Sequence, residues 1–296
     1  MTVSVLETHR CHGGEMRVFQ HDSVALGLPA RFSVFLPSAA LEGEASPVLF
    51  LLAGLTCTHE TFLQKSTIIA HAATHGLILV APDTSPRGAG IEGEDESYDL
   101  GTGAGFYLDA TRSPWSSHYR MGRYISEELP ALLAEAPEVL PGLSSGPASG
   151  KGERAFGIMG HSMGGHGALV HALRNAGLWR SVSALAPIVH PSVVPWGEKA
   201  FSAYLGSDRK AWSRWDAVSL LNAGHRHPTA ILIDQGTSDT FLSQELRPDL
   251  LEQAAADAGQ ALTLRYHDGY DHSYWFIQTV IADHVAHHAG ILRGRA

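Results

Sequence analysis

Cysteines and long apolar runs are scarce in this sequence. The chain has two cysteines in 296 residues, Cys11 and Cys57, which argues against a dense disulfide framework and favours a reducing compartment. Apolar runs such as Val48–Leu52 are far shorter than the roughly 20 residues of a membrane-spanning helix. Residues 1–10 also lack the apolar core of a signal peptide. We therefore expect a cytoplasmic protein with no membrane contact.

Basic residues are also few. Lysine and arginine total 21 against 30 aspartate and glutamate residues, which gives a formal net charge of −9. Because the sequence has no basic run or basic–aromatic stripe, nucleic acid is not an expected partner. An anionic small-molecule substrate is not excluded, since a few local cations can set the potential of a cleft. Apolar residues make up 44% of the chain and no long linker divides it, so we expect one domain over residues 1–296.

Short apolar runs bounded by glycine and proline predict strands of a parallel sheet that is buried on both faces. Segments with helical spacing lie between them. This alternation predicts the α/β class, with a mostly parallel central sheet flanked by helices. A Pro/Gly/Ser-rich segment at residues 141–151 predicts a surface loop. The predicted strands are residues 32–36, 48–52, 77–80, 155–159, 230–233 and 262–266, and the predicted helices are residues 61–75, 119–136, 165–175, 248–258 and 275–288.

A Gly-x-Ser-x-Gly motif is centred on Ser162, with Gly160 and Gly164 as its glycines. The motif is typical of a sharp strand-to-helix turn that lifts the serine Oγ above the sheet. The N–H groups at the start of the following helix would favour a developing negative charge. The motif alone also occurs in turns without chemistry, but here a predicted strand precedes it and a predicted helix follows. We therefore predict an α/β-hydrolase fold with Ser162 as the nucleophile.

A serine nucleophile needs a general base, and the base needs an orienting acid. In this fold the acid and then the histidine follow the serine along the chain. Asp234 and Asp239 both follow the predicted strand at residues 230–233. We prefer Asp239, which lies far enough beyond the strand to reach a histidine above the sheet, and expect Asp234 to bind loop amides. His272, just before the last predicted helix, is the predicted base.

The other histidines near these positions are expected to be structural. His284, His287 and His288 have a spacing that suits metal ligands, but no cysteine or paired carboxylate completes a site. We therefore expect a solvated helix face there and predict no metal site. His161 and His166 flank the serine and are expected to pack or form local hydrogen bonds.

The oxyanion of a tetrahedral intermediate needs two fixed donors. One is predicted to be the backbone N–H of Met163, which follows the serine. The other should come from the loop after an early strand. Val48–Leu52 is that strand, and Leu55 in its loop is the predicted second donor.

Several longer motifs are more specific than Gly-x-Ser-x-Gly. With them the sequence resembles the S-formylglutathione hydrolase family, also called esterase D, nearly from end to end. GEDES, GTGAGFY and GYDHSY together are specific to that family. The matching segments are GLTCT (54–58), APDTSPRG (81–88), GEDES (93–97), GTGAGFY (101–107), DAT (109–111), PW (114–115), GHSMGGHGAL (160–169), PWG (195–197), IDQG (233–236) and GYDHSY (269–274).

The resemblance implies a serine thioesterase that cleaves S-formylglutathione to formate and glutathione, the last step of glutathione-dependent formaldehyde detoxification. It places the triad on Ser162, Asp239 and His272 and requires no cofactor. A general carboxylesterase acting on short acyl esters is the alternative enzyme, and an inactive binding module of the same fold is the alternative outside catalysis. A homodimer is compatible with the sequence.

The small size of a formyl group predicts a small acyl pocket, bounded by bulky side chains such as Trp196. Cys57 lies two residues after Leu55 and is expected near the site entrance. Two features depart from the family pattern. Residues 141–154 form a longer segment than is usual, and Val194 stands where similar relatives often have cysteine. Neither departure touches the predicted triad.

Overall fold

A nine-stranded sheet lies at the centre of the described part of the chain. The computed structural model describes residues 3–136, 139 and 156–294. The strands are β1 (Val3–Cys11), β2 (Gly14–Ser23), β3 (Leu28–Leu36), β4 (Val48–Leu52), β5 (Ile78–Pro82), β6 (Phe156–His161), β7 (Trp179–Leu185), β8 (Ile231–Gly236) and β9 (Leu262–His267). They lie side by side in the order β1-β2-β3-β5-β4-β6-β7-β8-β9. The pairs from β1 to β5 along this order are antiparallel, and those from β5 to β9 are parallel.

Helices cover the parallel part of the sheet. Every residue of β4 and β5 is buried, as expected for strands with helices against both faces. The predicted α/β class, with a mostly parallel sheet flanked by helices, is confirmed. The α-helices are α1 (Ser38–Leu41), α2 (Thr61–Lys65), α3 (Ile68–His75), α4 (Met121–Arg123), α5 (Leu129–Glu135), α6 (Met163–Arg174), α7 (Pro195–Leu205), α8 (Arg209–Trp212), α9 (Ala217–Asn222), α10 (Pro248–Ala258) and α11 (Tyr274–Leu292). Single π turns span Tyr124–Glu128 and Leu242–Leu246, and 3₁₀ turns span Trp115–Ser117, Pro191–Val193 and Ser213–Trp215.

Several elements differ from the sequence-based expectation. The apolar runs do not reveal β1, β2 or β7, whose sequences mix polar and apolar residues, nor do they reveal α7, α8 and α9. The helix predicted over residues 61–75 is two helices, because Thr67 has a positive φ of 61° and interrupts it. The predicted loop at residues 141–151 and the longer segment to residue 154 lie outside the described residues. A single domain over residues 1–296 stays a prediction.

The histidines of α11 face the core. His284 and His288 are fully buried, so the expectation of a solvated helix face is wrong. Ser183 Oγ lies 2.8 Å from both His284 Nδ1 and His288 Nε2, and Ser181 Oγ lies 2.6 Å from His288 Nδ1. His287 is half-buried and contacts a backbone carbonyl of β7. The serines of β7 therefore replace water as partners of these rings.

Asp234, in β8, accepts hydrogen bonds from three side chains. The donors are His284 Nε2 at 3.0 Å, Arg265 Nε at 2.6 Å and His267 Nε2 at 3.1 Å. The expectation that Asp234 binds loop amides is therefore wrong, although the residue is structural as predicted. Burial alone would raise the pKa of this carboxyl, but the hydrogen bonds from His284 and Arg265 outweigh burial and hold its pKa well below the usual range.

The ionised Asp234 carboxylate sets the direction of the buried hydrogen bonds. A carboxylate only accepts, and each neutral imidazole has one donor and one acceptor nitrogen. Burial lowers the pKa of both His284 and His288, which favours their neutral forms. Each residue then donates one hydrogen bond to the next, in the order Ser181, His288, Ser183, His284, Asp234.

The described residues contain neither a candidate membrane span nor a candidate metal cluster. None of their helices is long and apolar enough to cross a membrane. No cluster of His, Cys, Asp or Glu residues within them is placed to hold a metal ion.

We expect Asp234→Asn to lower the free energy of unfolding by about 3 kcal/mol at pH 7, because it leaves Arg265 and the buried His284 without their anion. The lowered pKa means that this stabilisation is present above the unfolded-state pKa of about 4 and is lost as the pH falls through the folded-state pKa. The difference in the free energy of unfolding between wild type and Asp234→Asn should therefore become smaller below about pH 4. Denaturant unfolding at pH 7 and pH 3 measures this.

Asp283→Asn is the matched control. Asp283 also binds Arg265, at 2.7 Å, but its side chain is 63% exposed. Its removal should cost less than about 1 kcal/mol. Equal losses for the two variants would show that the buried network does not provide the stabilisation.

Candidate active site

Ser162 occupies a strained turn between β6 and α6. Its φ of 58° and ψ of −119° lie where non-glycine residues are rare. A Cβ added to Gly160 would lie 2.1 Å from Gly164 O, and one added to Gly164 would lie 2.0 Å from Leu52 O. Neither glycine can therefore carry a side chain, which is the steric requirement of the predicted turn. The following residue, Met163, begins α6.

Asp239 and His272 lie on adjoining loops after β8 and β9. His272 Nδ1 donates to Asp239 Oδ2 at 2.6 Å. The loops are joined at Gly236, where an added Cβ would lie 2.3 Å from Tyr270 O. The structure thus brings the predicted acid and base together, while Asp234 points into the buried network. With Nδ1 donating to Asp239, Nε2 of His272 is the nitrogen left to take a proton.

The Asp239 carboxylate is fixed by two further donors. Its side chain is fully buried. Gln235 Nε2 donates to Oδ2 at 3.2 Å, and the Phe241 backbone N–H donates to Oδ1 at 2.9 Å. The Phe241 ring also lies 5.2 Å from the His272 ring, edge to face. Sequence reasoning assigned no role to either residue, although Gln235 lies within the IDQG segment and Phe241 follows Asp239 closely.

His161 lies beside the predicted base, and Gly54 lies close to both His161 and the serine. The His161 and His272 rings are 4.6 Å apart. A Cβ added to Gly54 would lie 3.3 Å from Ser162 Cβ and 3.5 Å from His161 Nδ1. Burial drives the pKa of His161 well below its usual value, and the nearby His272 lowers it further. His161 is therefore neutral and packs beside the base, while His166 Nε2 donates to the Phe106 carbonyl oxygen at 3.0 Å.

The two predicted oxyanion donors adjoin the serine. The absence of a side chain at Gly54 lets the loop after β4 lie close to the turn, since an added Cβ would crowd Ser162. Within the described residues, the Leu55 N–H has no hydrogen-bond partner. The Met163 N–H belongs to the first turn of α6, where helix geometry supplies no partner. These two N–H groups are available to an oxyanion, and that role stays a prediction.

Cys57 anchors the same loop through its carbonyl. Arg87 Nη2 donates to Cys57 O at 2.8 Å, and Thr84 Oγ1 donates to it at 2.5 Å. Asp83 in turn accepts from Arg87 at 2.6 Å. Burial raises the pKa of the Cys57 thiol. Thr84 and Arg87 belong to the APDTSPRG segment, to which the sequence analysis gave no function.

The Trp196 ring packs against the Phe241 ring, which in turn packs against the His272 ring. The Trp196 and Phe241 rings are 4.7 Å apart. Trp196 Nε1 donates to the hydroxyl of the exposed Tyr98 at 3.0 Å, and Val194 is buried just before α7. Trp196 is thus placed near the base, and its role as a wall of the acyl pocket stays a prediction.

Comparisons with known proteins agree on the family. The Esterase family matches residues 23–287. An S-formylglutathione hydrolase of Mus musculus is 48% identical over 293 residues, which are 99% of this chain and 99% of the relative. One of Bos taurus is 45% identical over the same shares of both chains. The chain belongs to the S-formylglutathione hydrolase family. The resemblance predicted from the sequence motifs is therefore confirmed.

Solved structures agree with this assignment. An S-formylglutathione hydrolase from Agrobacterium tumefaciens has a TM-score of 0.90 and 45% identity, covering 97% of this chain and 99% of that one. A fluorophosphonate-binding serine hydrolase of Staphylococcus aureus, FphF, has a TM-score of 0.70 at 17% identity, covering 93% and 98%, and shows the shared fold alone. The predicted α/β-hydrolase fold is confirmed, and this member of the S-formylglutathione hydrolase family is a hydrolytic enzyme.

We expect Asp239→Asn to lower kcat by a factor on the order of 10⁴, the loss seen in the best-studied Ser–His–Asp triad. The amide would leave His272 in the wrong tautomer for accepting the serine proton. Steady-state kinetics on folded protein measures this. Asp234→Asn is the control, since it weakens folding but leaves the Asp239–His272 pair intact, and its kcat should stay within about tenfold of wild type. The reverse order of effects would exchange the roles of the two carboxylates.

We expect a thiol-alkylating maleimide to inhibit the enzyme through Cys57, because an adduct there would displace the loop that carries Leu55. The raised thiol pKa predicts that the inactivation rate still increases between about pH 8 and pH 9, since the thiolate is the reactive form. Cys57→Ser should keep most of the activity and resist the reagent. Cys11→Ser should remain as sensitive as wild type. A fully sensitive Cys57→Ser variant would remove this residue from the explanation.

Proposed function

We propose that this enzyme hydrolyses S-formylglutathione to formate and glutathione through a formyl-enzyme intermediate on Ser162. The 2.6 Å contact between Asp239 and His272, beside a serine on a strained turn, is the observation that carries the mechanism. The substrate is that of the relatives named above, which match this chain over nearly its full length.

In the first half of the reaction, His272 Nε2 takes the Ser162 hydroxyl proton while Oγ attacks the formyl carbon. Asp239 stabilises the imidazolium that forms. The Leu55 and Met163 N–H groups donate to the oxyanion, and each such donor is worth roughly 10²- to 10³-fold in kcat. The carbon–sulfur bond then breaks, and glutathione leaves as a thiol with the proton from His272.

In the second half, water replaces glutathione. His272 takes a proton from the water, whose oxygen attacks the formyl ester. The Ser162–formyl bond breaks, Oγ recovers its proton from His272, and the product leaves as formic acid, which gives up its proton to the solvent to become formate. The residues that act in both halves are the same, and the cycle needs no group beyond the chain and water.

The proposed reaction implies a place in formaldehyde detoxification that depends on glutathione, and we propose a cytoplasmic location for it. A homodimer stays a prediction. Activity on short acyl esters is the alternative function, because the same triad and oxyanion donors would act on an ester carbonyl.

We expect kcat/KM for S-formylglutathione to exceed that for S-acetylglutathione and for a short aryl ester, because a small acyl pocket favours the formyl group.

Rapid mixing with the aryl ester should release a burst of phenol, equal in amount to the enzyme present, ahead of steady turnover. Ser162→Ala should lower kcat by a factor on the order of 10⁶ without unfolding the protein.

A fluorophosphonate probe separates the enzyme from an inactive binding module. Labelling at Ser162, lost in Ser162→Ala, supports the mechanism. A preference for the aryl ester over S-formylglutathione would instead favour the general carboxylesterase, and turnover by Ser162→Ala within tenfold of wild type would contradict the assigned nucleophile.

A further inference from the structure

A cleft opens beside the oxyanion loop, on the side of the sheet where β3 adjoins β5. Its volume is about 610 Å³, within the range of small-molecule sites. The charged and polar side chains that line it include Gln20, Arg31, Thr58, Glu60, Asp83 and Arg87. None of these belongs to the proposed catalytic machinery.

The cleft and Ser162 lie at the same edge of the sheet. β4, β5 and β6 are parallel, so Asp83 after β5 and Ser162 after β6 both follow carboxyl ends, where ligands of open α/β sheets bind. Phe32 of β3 pairs with Pro82 of β5 in antiparallel register, which brings Arg31 to that edge as well.

The distance from the oxyanion loop suits a short peptide. Thr58 lines the cleft and follows Leu55 by three residues, a span of at most about 11 Å. The path from the formyl carbon of S-formylglutathione to the α-carboxylate of its γ-glutamyl residue is about nine bonds, a similar length of roughly 11 Å when extended. A substrate whose central residue carries the reacting acyl group at Leu55 can therefore place one end in the cleft.

Among the described residues, the charged side chains that line the cleft divide into one ion pair and two groups, Arg31 and Glu60, that have no charged partner. Arg87 is already bound to Asp83 and to the Cys57 carbonyl. Arg31 is exposed, and within the described residues only its Nε donates a side-chain hydrogen bond, to Gln20 at 3.1 Å. Glu60 is half-buried, and within the same residues only its Oε1 accepts a side-chain hydrogen bond, from Gln64. The terminal amino groups of Arg31 and Oε2 of Glu60 remain for a ligand.

We infer that this cleft binds the γ-glutamyl end of glutathione, with Arg31 at its α-carboxylate and Glu60 at its ammonium group. The inference rests on the proposed function. The γ-glutamyl end carries both charges, whereas the glycyl end carries a carboxylate alone, so the paired charges of the cleft match the γ-glutamyl end. Arg31 also offsets locally the repulsion between an anionic substrate and a chain with a net charge of −9.

The test compares KM for S-formylglutathione and for a short aryl ester, which has no γ-glutamyl group. Arg31→Ala and Glu60→Gln should each raise KM for S-formylglutathione about five- to tenfold, with kcat nearly unchanged, since partly exposed charge pairs are worth about 1 kcal/mol. Neither should change KM for the ester. Arg17→Ala, on the adjacent strand β2 and paired with Glu15, is the matched control and should change neither KM.

A truncated substrate, S-formylcysteinylglycine, gives an independent readout. Wild type should show a raised KM for it, and Arg31→Ala should raise that KM no further, because the group that Arg31 binds is already missing. Glutathione itself should inhibit ester hydrolysis less strongly in Arg31→Ala than in wild type.

An unchanged KM for S-formylglutathione in both variants, or equal changes for the ester, would overturn the inference. If Arg31→Ala raised KM for the truncated substrate as much as it raised KM for S-formylglutathione, the glycyl end would lie in the cleft. That result would overturn the inference as well. Failure of wild type to hydrolyse S-formylglutathione would instead reject the proposed function, and the glutathione inhibition assay would still test the cleft.

Discussion

The turn at Ser162 is packed so tightly that its two flanking glycines have no space for a side chain, because Gly160 abuts Gly164 within the turn and Gly164 abuts the end of β4. Gly164 rests on the Leu52 carbonyl, which holds the start of α6 and the loop carrying Leu55 against each other. In this closely packed turn Ser162 has a positive φ, a strained conformation for a residue with a side chain. The positions of the serine and of both candidate oxyanion donors therefore depend on one backbone contact.

Two carboxylates, one in β8 and one just after it, have different binding partners. Asp234 lies inside the sheet layer and binds Arg265 and the histidines of β9 and α11. Asp239 lies beyond the strand end and binds His272. β8 pairs with β7 on one side and with β9 on the other, so the loop that carries Asp239 begins at a strand held within the sheet.

The sequence predicts the parts of this molecule that depend on local chemistry. The turn at Ser162 has its own motif, and the order of serine, acid and base along the chain narrows the partners. The errors have a common cause. β7 is hidden because Ser181 and Ser183 look like surface residues, and the α11 histidines look solvated for the same reason, yet the serines and histidines satisfy each other's hydrogen bonds in the core. Such compensation between distant segments leaves no local pattern.

The buried network contains a second serine, histidine and aspartate in line. Ser183, His284 and Asp234 have the same chemical groups in the same order of contact as a catalytic triad, but all three are fully buried. Within the described part of the chain Ser183 has no exposed surface, so a carbonyl compound cannot reach its hydroxyl. A serine, a histidine and an aspartate in contact can thus form a buried structural network, so these residue types do not by themselves predict a catalytic site.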